Sequence, residues 1–300
     1  MEAGSGARTA FTYLTDYHLP HWFACSVLLT GWAKLEYNNI QVLRSWLALA
    51  VLCVGAARGA APSYSAASIV NSSNYAPGPF APGSIVSIFG SGLAESARGI
   101  AVDASALKLP FELNNARVFV SDHPAALFYA SDGQINFQIP TNLVAGPVTI
   151  RVAVDSNTIF PVPEVALVDA APALFLLPPE GVYAIAQHAD FTLITADSPA
   201  HAREIVVIYL TGLGRTAPNP ATGEIPPLIA APMERLSDLK VSLDGVVMDP
   251  IQVKYAGQTP GYAGLYQINL ALPDNVGTDP EIRVAVDGQS SPAGLKLPVR

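Results

Sequence analysis

From residue 62 onward the apolar positions of this chain recur with a period of two. Between 134 and 139, Ile135, Phe137 and Ile139 alternate with Gln134, Asn136 and Gln138. Further on, Tyr266, Ile268, Leu270 and Leu272 alternate in the same way with Gln267 and Asn269. Successive side chains of a strand project to opposite faces, so this spacing predicts antiparallel strands with one face in a core. Other strands are predicted near 84–90, 116–121, 147–155 and 163–168, and again near 204–211, 239–243, 251–256 and 281–286. Asp132-Gly133 is a dipeptide that closes hairpins, because both residues accept the positive φ of a tight turn. No helical stripe of any length follows residue 60.

The strands come in two sets. Ile150-Arg-Val-Ala-Val-Asp155 recurs letter for letter as Ile282-Arg-Val-Ala-Val-Asp287, 132 positions later. Gln134-Ile-Asn136 recurs as Gln267-Ile-Asn269, and the run from Ser84 to Leu93 matches the run from Glu204 to Leu213, shifted by 120. Asn74-Tyr75 has a counterpart in Asp190-Phe191, shifted by 116. Offsets that keep their order and grow along the chain point to an internal repeat whose second copy carries longer loops. The fold class expected is all-β: two tandem immunoglobulin-like β-sandwiches related by duplication, over 62–170 and 171–300, with six or seven strands each.

Composition agrees with that architecture. The chain has 300 residues, half of them hydrophobic and 13% charged, with 26 prolines and 23 glycines. That suits short apolar strands joined by turns, and proline disfavours helices. The formal net charge is −8. Residues 1–60 hold three acids and four bases, so 21 acids and 12 bases remain and residues 61–300 carry −9. An acidic surface without a basic stripe repels phosphate backbones, which excludes nucleic acid as a partner.

The N-terminus has a different character. Arg44 precedes twelve uncharged residues, Trp46 to Ala57, followed by small residues at Gly59, Ala60 and Ala61. A positive flank, a short apolar segment and a small-residue exit predict a signal peptide over 42–61, cleaved after Gly59 or Ala61. Twelve residues are too few for a bilayer, which needs about 20, so no membrane span is expected in the mature form. Residues 1–41 read as an extension ahead of it, consistent with a start assigned too far upstream. Both cysteines, Cys25 and Cys53, lie before the expected cleavage. The mature protein is therefore expected without thiols and secreted or at the cell surface.

Two long segments then carry a family resemblance. One is Ala81-Pro-Gly-Ser-Ile-Val-Ser-Ile-Phe-Gly-Ser-Gly-Leu93 with Phe128-Tyr-Ala-Ser-Asp-Gly-Gln-Ile-Asn-Phe-Gln-Ile-Pro140. The other is Ile208-Tyr-Leu-Thr-Gly-Leu-Gly214 with the run from Tyr255 to Asn269. Over residues 66–300 these resemble the Solibacter uncharacterized C-terminal domain family, and each half is more loosely similar to the IPT or TIG immunoglobulin-like domain. The resemblance implies an exported acidobacterial protein without a known activity. That module usually ends larger chains, whereas little precedes it here.

Chemistry-bearing motifs are sparse. Gly90-Ser91-Gly92 lacks the pattern of a nucleophile elbow and reads as a strand-end turn. His123, His188 and His201 show no metal-ligand spacing, and Asp132, Asp244 and Asp287 are single acids before glycine, which is turn chemistry rather than a calcium loop. No cofactor or metal is expected. His188 and Asp190 share a strand face and would make a surface pair. The outward Gln and Asn of the repeated motif either bridge neighbouring strands or hydrogen-bond a ligand.

One asymmetry stands out. Five positions separate Tyr129 from Gln134, but twelve separate Tyr255 from Gln267, so the second half gains seven residues in a Gly/Pro-rich loop around Tyr262. A tyrosine on such a loop either meets a partner or folds over the sandwich edge. Tyr262, Gln258, Gln267 and Asn269 are the binding residues this predicts. The function expected is a non-catalytic module contacting a protein or glycan; the alternative is a hydrolase acting on extracellular polymer.

Overall fold

The computed structural model describes residues 62–99, 108–155, 158–159, 162–178 and 181–300; the extension over 1–41 and the signal peptide expected over 42–61 lie outside the described residues. The first half forms β1 (Ile69–Asn71), β2 (Ile85–Phe89), β3 (Arg98–Gly99), β4 (Ala116–Val120), β5 (His123–Ala130), β6 (Gln134–Gln138), β7 (Gly146–Val154), β8 (Thr158–Ile159) and β9 (Glu164–Leu167). The second forms β10 (Ala173–Leu174), β11 (Ala186–Gln187), β12 (Ile205–Thr211), β13 (Ala231–Pro232) and β14 (Lys240–Leu243). It continues through β15 (Val246–Val247), β16 (Val253–Gln258), β17 (Tyr266–Ala271), β18 (Ile282–Val286) and β19 (Gln289–Ser290). The chain is all-β, and every pairing between these strands is antiparallel. The helical turns among the described residues are three-residue 3₁₀ pieces. No helix among them is long and apolar enough to cross a membrane.

The alternation seen in the sequence becomes the packing of the strands. In β6, Ile135 and Phe137 enter the first core with Val86 and Ile88 of β2 and Val118, Ile150 and Val152 of β4 and β7. In β17, Tyr266, Ile268 and Leu270 enter the second core with Val206, Ile208 and Leu210 of β12 and Ile282 and Val284 of β18. Each fully buried side chain of this size contributes about 1.5–3 kcal/mol. Buried hydroxyls find partners: Tyr64 Oη donates to Ile150 O (3.0 Å) and accepts from Val152 N (3.0 Å), and Tyr266 Oη donates to Gly214 O (2.7 Å).

Corresponding strands pair alike in the two halves. β2 pairs with β6 as β12 pairs with β17, and β5 with β6 as β16 with β17. β4 pairs with β7 as β14 with β18. The halves part company at β5. That strand runs unbroken from β4 to β6 and ties the first half into one continuous sheet folded on itself. In the second half Pro250, which has no N–H, interrupts the equivalent strand. Asp249 Oδ1 caps the resulting turn through Ile251 N (2.9 Å), so β15 and β16 belong to separate sheets. For the same reason the strand expected over 251–256 begins only at Val253; it runs on to Gln258.

The added loops of the second half lie against the first. Gly223 N donates to Gln138 Oε1 (2.8 Å) and its carbonyl accepts from Leu109 N (2.7 Å). Thr211 Oγ1 accepts from Ile85 N (3.1 Å) and donates to Gly264 O (2.9 Å). The apolar part of this seam joins Ile85 to Phe175, Ile185 and Leu265, and Leu109 and Ala126 to Ala263. At Gly264 a positive φ of +69° and close approach coincide: a Cβ there would sit 2.8 Å from Ile85 Cγ1 and 2.9 Å from Gly83 O. Only glycine meets both conditions without strain.

Candidate functional site

Gln267 and Asn269 leave the second core on the outer face of β17, alternating with its buried residues. Gln267 Nε2 donates to Asn269 Oδ1 (2.9 Å). Across the ladder, Gln267 stands between Tyr209 of β12 and Gly257 of β16. Tyr209 Oη donates to Gln187 Oε1 (2.6 Å). Tyr262 packs into the half-covered margin of the seam with Tyr209, Phe128, Leu177 and Leu193, over Ile85, Phe175, Ile185 and Leu265. The structure thus brings Tyr262, Tyr209, Gln267 and Asn269 to one face. Gln258 is elsewhere: it is 4% exposed and pairs with Tyr266 and Ala231, on the inward side of β16.

Burial sets the electrostatics of this face. It pushes Tyr209 up to about 12, with the neighbouring Tyr262 hydroxyl adding to the effect, and it raises Tyr262 as well. Both phenols therefore stay neutral and keep their protons at ordinary pH. The chemistry on offer is apolar ring contact with neutral hydrogen bonding.

His188 meets Glu204 rather than Asp190: Nδ1 lies 2.5 Å from Glu204 Oε1, whereas Asp190 Oδ1 accepts from Thr192 N (3.0 Å) and Oγ1 (2.6 Å) in its own turn. Ser198 Oγ is 3.4 Å from His188 Nε2, which gives the outline of a serine–histidine–carboxylate set. Two features speak against acyl transfer there. Nε2 is nearer the Ser198 carbonyl (3.2 Å), and the Ser198 N–H is engaged by Thr195 O and Oγ1 (both 3.1 Å). The next residue is Pro199, which has no N–H to offer an oxyanion. Among the described residues no group of three or more His, Cys, Asp or Glu side chains could hold a metal ion.

In the first half the Gln-x-Asn motif makes the same internal bond, Gln134 Nε2 to Asn136 Oδ1 (2.8 Å). Sequence reasoning missed what lies beside it. Tyr75 and Phe89 are 59% and 37% exposed, with ring centroids 6.0 Å apart and planes at 51°. The recurrence of Asn74-Tyr75 as Asp190-Phe191 was the available signal, and it read as part of a repeat rather than as a surface.

No family model matches the chain, and no curated protein matches it. Among solved structures it is similar to the SGBP-B of the Bacteroides ovatus mixed-linkage glucan utilization locus, solved with a mixed-linkage heptasaccharide, at 11% identity. That match covers 73% of this chain and 44% of the other, with a TM-score of 0.30. The surface glycan-binding protein PbSGBP-B from Prevotella bryantii matches at 13% identity over 72% of this chain and 37% of its own, with a TM-score of 0.22. The plexin A4 extracellular region matches at 12% identity over 82% and 19%, with a TM-score of 0.26. The chain thus spans less than half of each of these proteins. At such identities and scores, what those proteins bind does not transfer to it.

Proposed function

We propose that this chain is an exported, non-catalytic binding or structural module that meets a protein or a glycan at or outside the cell surface. The observation that carries the reading is the half-covered aromatic face at the seam, where Tyr209, Tyr262 and Phe128 lie together with Gln267 and Asn269 in line. Amphipathic rings and fixed amides on a clamped body suit recognition, because little side-chain freedom remains to be lost on binding. The same reading takes the two halves as copies from one duplication, supported by the strand pairings that recur at the offsets of the sequence repeat. It also takes residues 42–61 as the export signal.

The test is a glycan array and a cell-surface pulldown with residues 62–300, which contain both cores, in native form and as Tyr262→Ala and Tyr262→Phe. Binding that falls about tenfold in Tyr262→Ala and survives in Tyr262→Phe is expected, since the ring rather than the hydroxyl supplies the contact. Retention on nothing, or release of cleaved sugar or peptide during the assay, overturns the reading.

A further inference from the structure

We infer that the Tyr75–Phe89 pair on the first half is a second, separate platform that takes the apolar ring face of a neutral carbohydrate chain. Three observations converge on it. The first is the cost of Tyr75. It sits at φ +58°, in the left-handed region that disfavours residues with a Cβ, and its ring is still largely exposed. The turn needs an Asx side chain, and Asn74 Oδ1 supplies it by accepting from Ala76 N (3.0 Å). Nothing in the turn needs an aromatic: glycine or asparagine would hold that backbone with less strain. The second half keeps the arrangement with Phe191, at φ +67° and 62% exposed. A strained backbone that twice presents an unburied ring is explained by something outside the fold.

The second observation is the ladder beside the rings. Phe89 pairs across the sheet with Gln134. Ser72 Oγ and Ser87 Oγ share a hydrogen bond (2.8 Å), Ser87 Oγ donates to Asn136 Oδ1 (2.9 Å), and Gln134 Nε2 donates to the same oxygen (2.8 Å). Asn136 Oδ1 is thereby saturated. The Asn136 amino group and the Gln134 carbonyl are the donor and acceptor not used within the ladder. A sugar ring offers the complement: C–H bonds on one face for the electron-rich rings, and hydroxyls at its edge that both donate and accept.

The third is size and charge. Two half-exposed aromatic side chains present roughly 200 Å², a quarter of the roughly 800 Å² per partner of a stable protein interface. A pyranose ring fits that area and a folded protein does not. The rings and ladder are neutral on a chain of net charge −8, which disfavours an anionic polymer.

The inference rests on the reading of the chain as a binding module but uses different residues, so the two fail separately. The test is retardation of the exported full chain in native gels containing soluble glucan, xylan, mannan or galactan, with pectate and hyaluronate as anionic counterparts. The variants are Tyr75→Asn, which suits the left-handed turn, and Phe89→Thr, which suits a strand; both remove a ring without opposing the local backbone. Retardation by at least one neutral polymer, weakened about tenfold by the double variant, is the expected result. No retardation by any neutral polymer, equal retardation of the double variant, or preference for the anionic polymers overturns the inference. A ligand lost in Tyr262→Ala and kept by the double variant preserves the module reading while overturning this one.

Discussion

The two halves share their strand pairings and differ in what joins the strands. The first closes the short turn after β5 on itself, with Ser131 N donating to Gln134 O (2.8 Å). The second sends its corresponding loop, residues 259–265 against 131–133, across to the first half, where Ala263 and Leu265 become buried. The proline-rich loop between β12 and β13, residues 212–230, travels with it, since Gly261 N donates to Pro226 O (2.9 Å) and Thr222 Oγ1 accepts from Thr141 N (3.1 Å). A gained segment is free to meet a partner, and the partner that much of this one meets is the other half of its own chain. What the halves share accounts for two cores; what they do not share accounts for how the cores are held together.

If the unshared loop holds the seam, its tightest point is where the molecule breaks most easily. Gly264→Val places a β-branched side chain at a positive φ and against Ile85 and Gly83. Left-handed strain and overpacking together cost about 3 kcal/mol. Urea titration should show the lost stability, and limited proteolysis should cut first within 216–232 and 257–264. A loss below about 0.5 kcal/mol would mean that the halves are held by something other than this loop.

A smaller effect sharpens the same contrast at matched positions. Thr211 and Ser91 are counterparts in the repeat, but Thr211 Oγ1 reaches out to Ile85 N and Gly264 O while Ser91 exchanges backbone bonds with Ser63 inside its own half. Thr211→Val keeps the shape and leaves a buried donor and acceptor unpaired, for about 2 kcal/mol. Ser91→Ala should stay within about 0.5 kcal/mol. Equal losses in thermal melts of the two variants would erase the distinction between the two halves.

Much of the fold was legible because alternation is local. Ile135, Phe137, Ile268 and Leu270 announce their faces with no knowledge of their neighbours, and β2, β4, β7 and β18 fall within a residue or two of where the pattern placed them. The seam was not legible. Gly, Pro and Tyr in a loop read equally well as a contact for a stranger and as a contact for the rest of the chain, and composition does not separate these. Gln258 shows the same limit: it lies two residues after Ala256 and so on the same inward side of β16, yet a polar residue in a loop-like stretch reads as outward. Tyr262 shows the cost of that ambiguity most directly. Its ring shares the seam cluster, so Tyr262→Ala costs about 1–2 kcal/mol, more than an exposed loop residue would.

The smallest effect separates the halves by pH. His188 and Glu204 in the second half occupy the places that the repeat gives to Ser72 and Ser84 in the first. There the ties are neutral, with Ser84 Oγ accepting from Ala81 N (3.2 Å). Here a titratable pair joins the turn after β11 to the residue before β12. Burial pulls the His188 pKa down, but the hydrogen bond from its ring to the Glu204 carboxylate, the Ser198 carbonyl and the charges of Glu204 and Asp190 push it up by more, and the net shift is upward from 6.5. A histidine whose folded pKa exceeds its unfolded value stabilises fully below the unfolded pKa, and that stabilisation fades as pH rises through the folded one. The stability difference between the native chain and His188→Gln should therefore be largest below about pH 6.5 and shrink as the pH rises above it. Amide exchange should place the change in β11 and β12 and leave β1 and β2 unmoved. A difference that is flat or grows with pH would show the His188–Glu204 contact to be as neutral in effect as the serines at the matching positions of the first half.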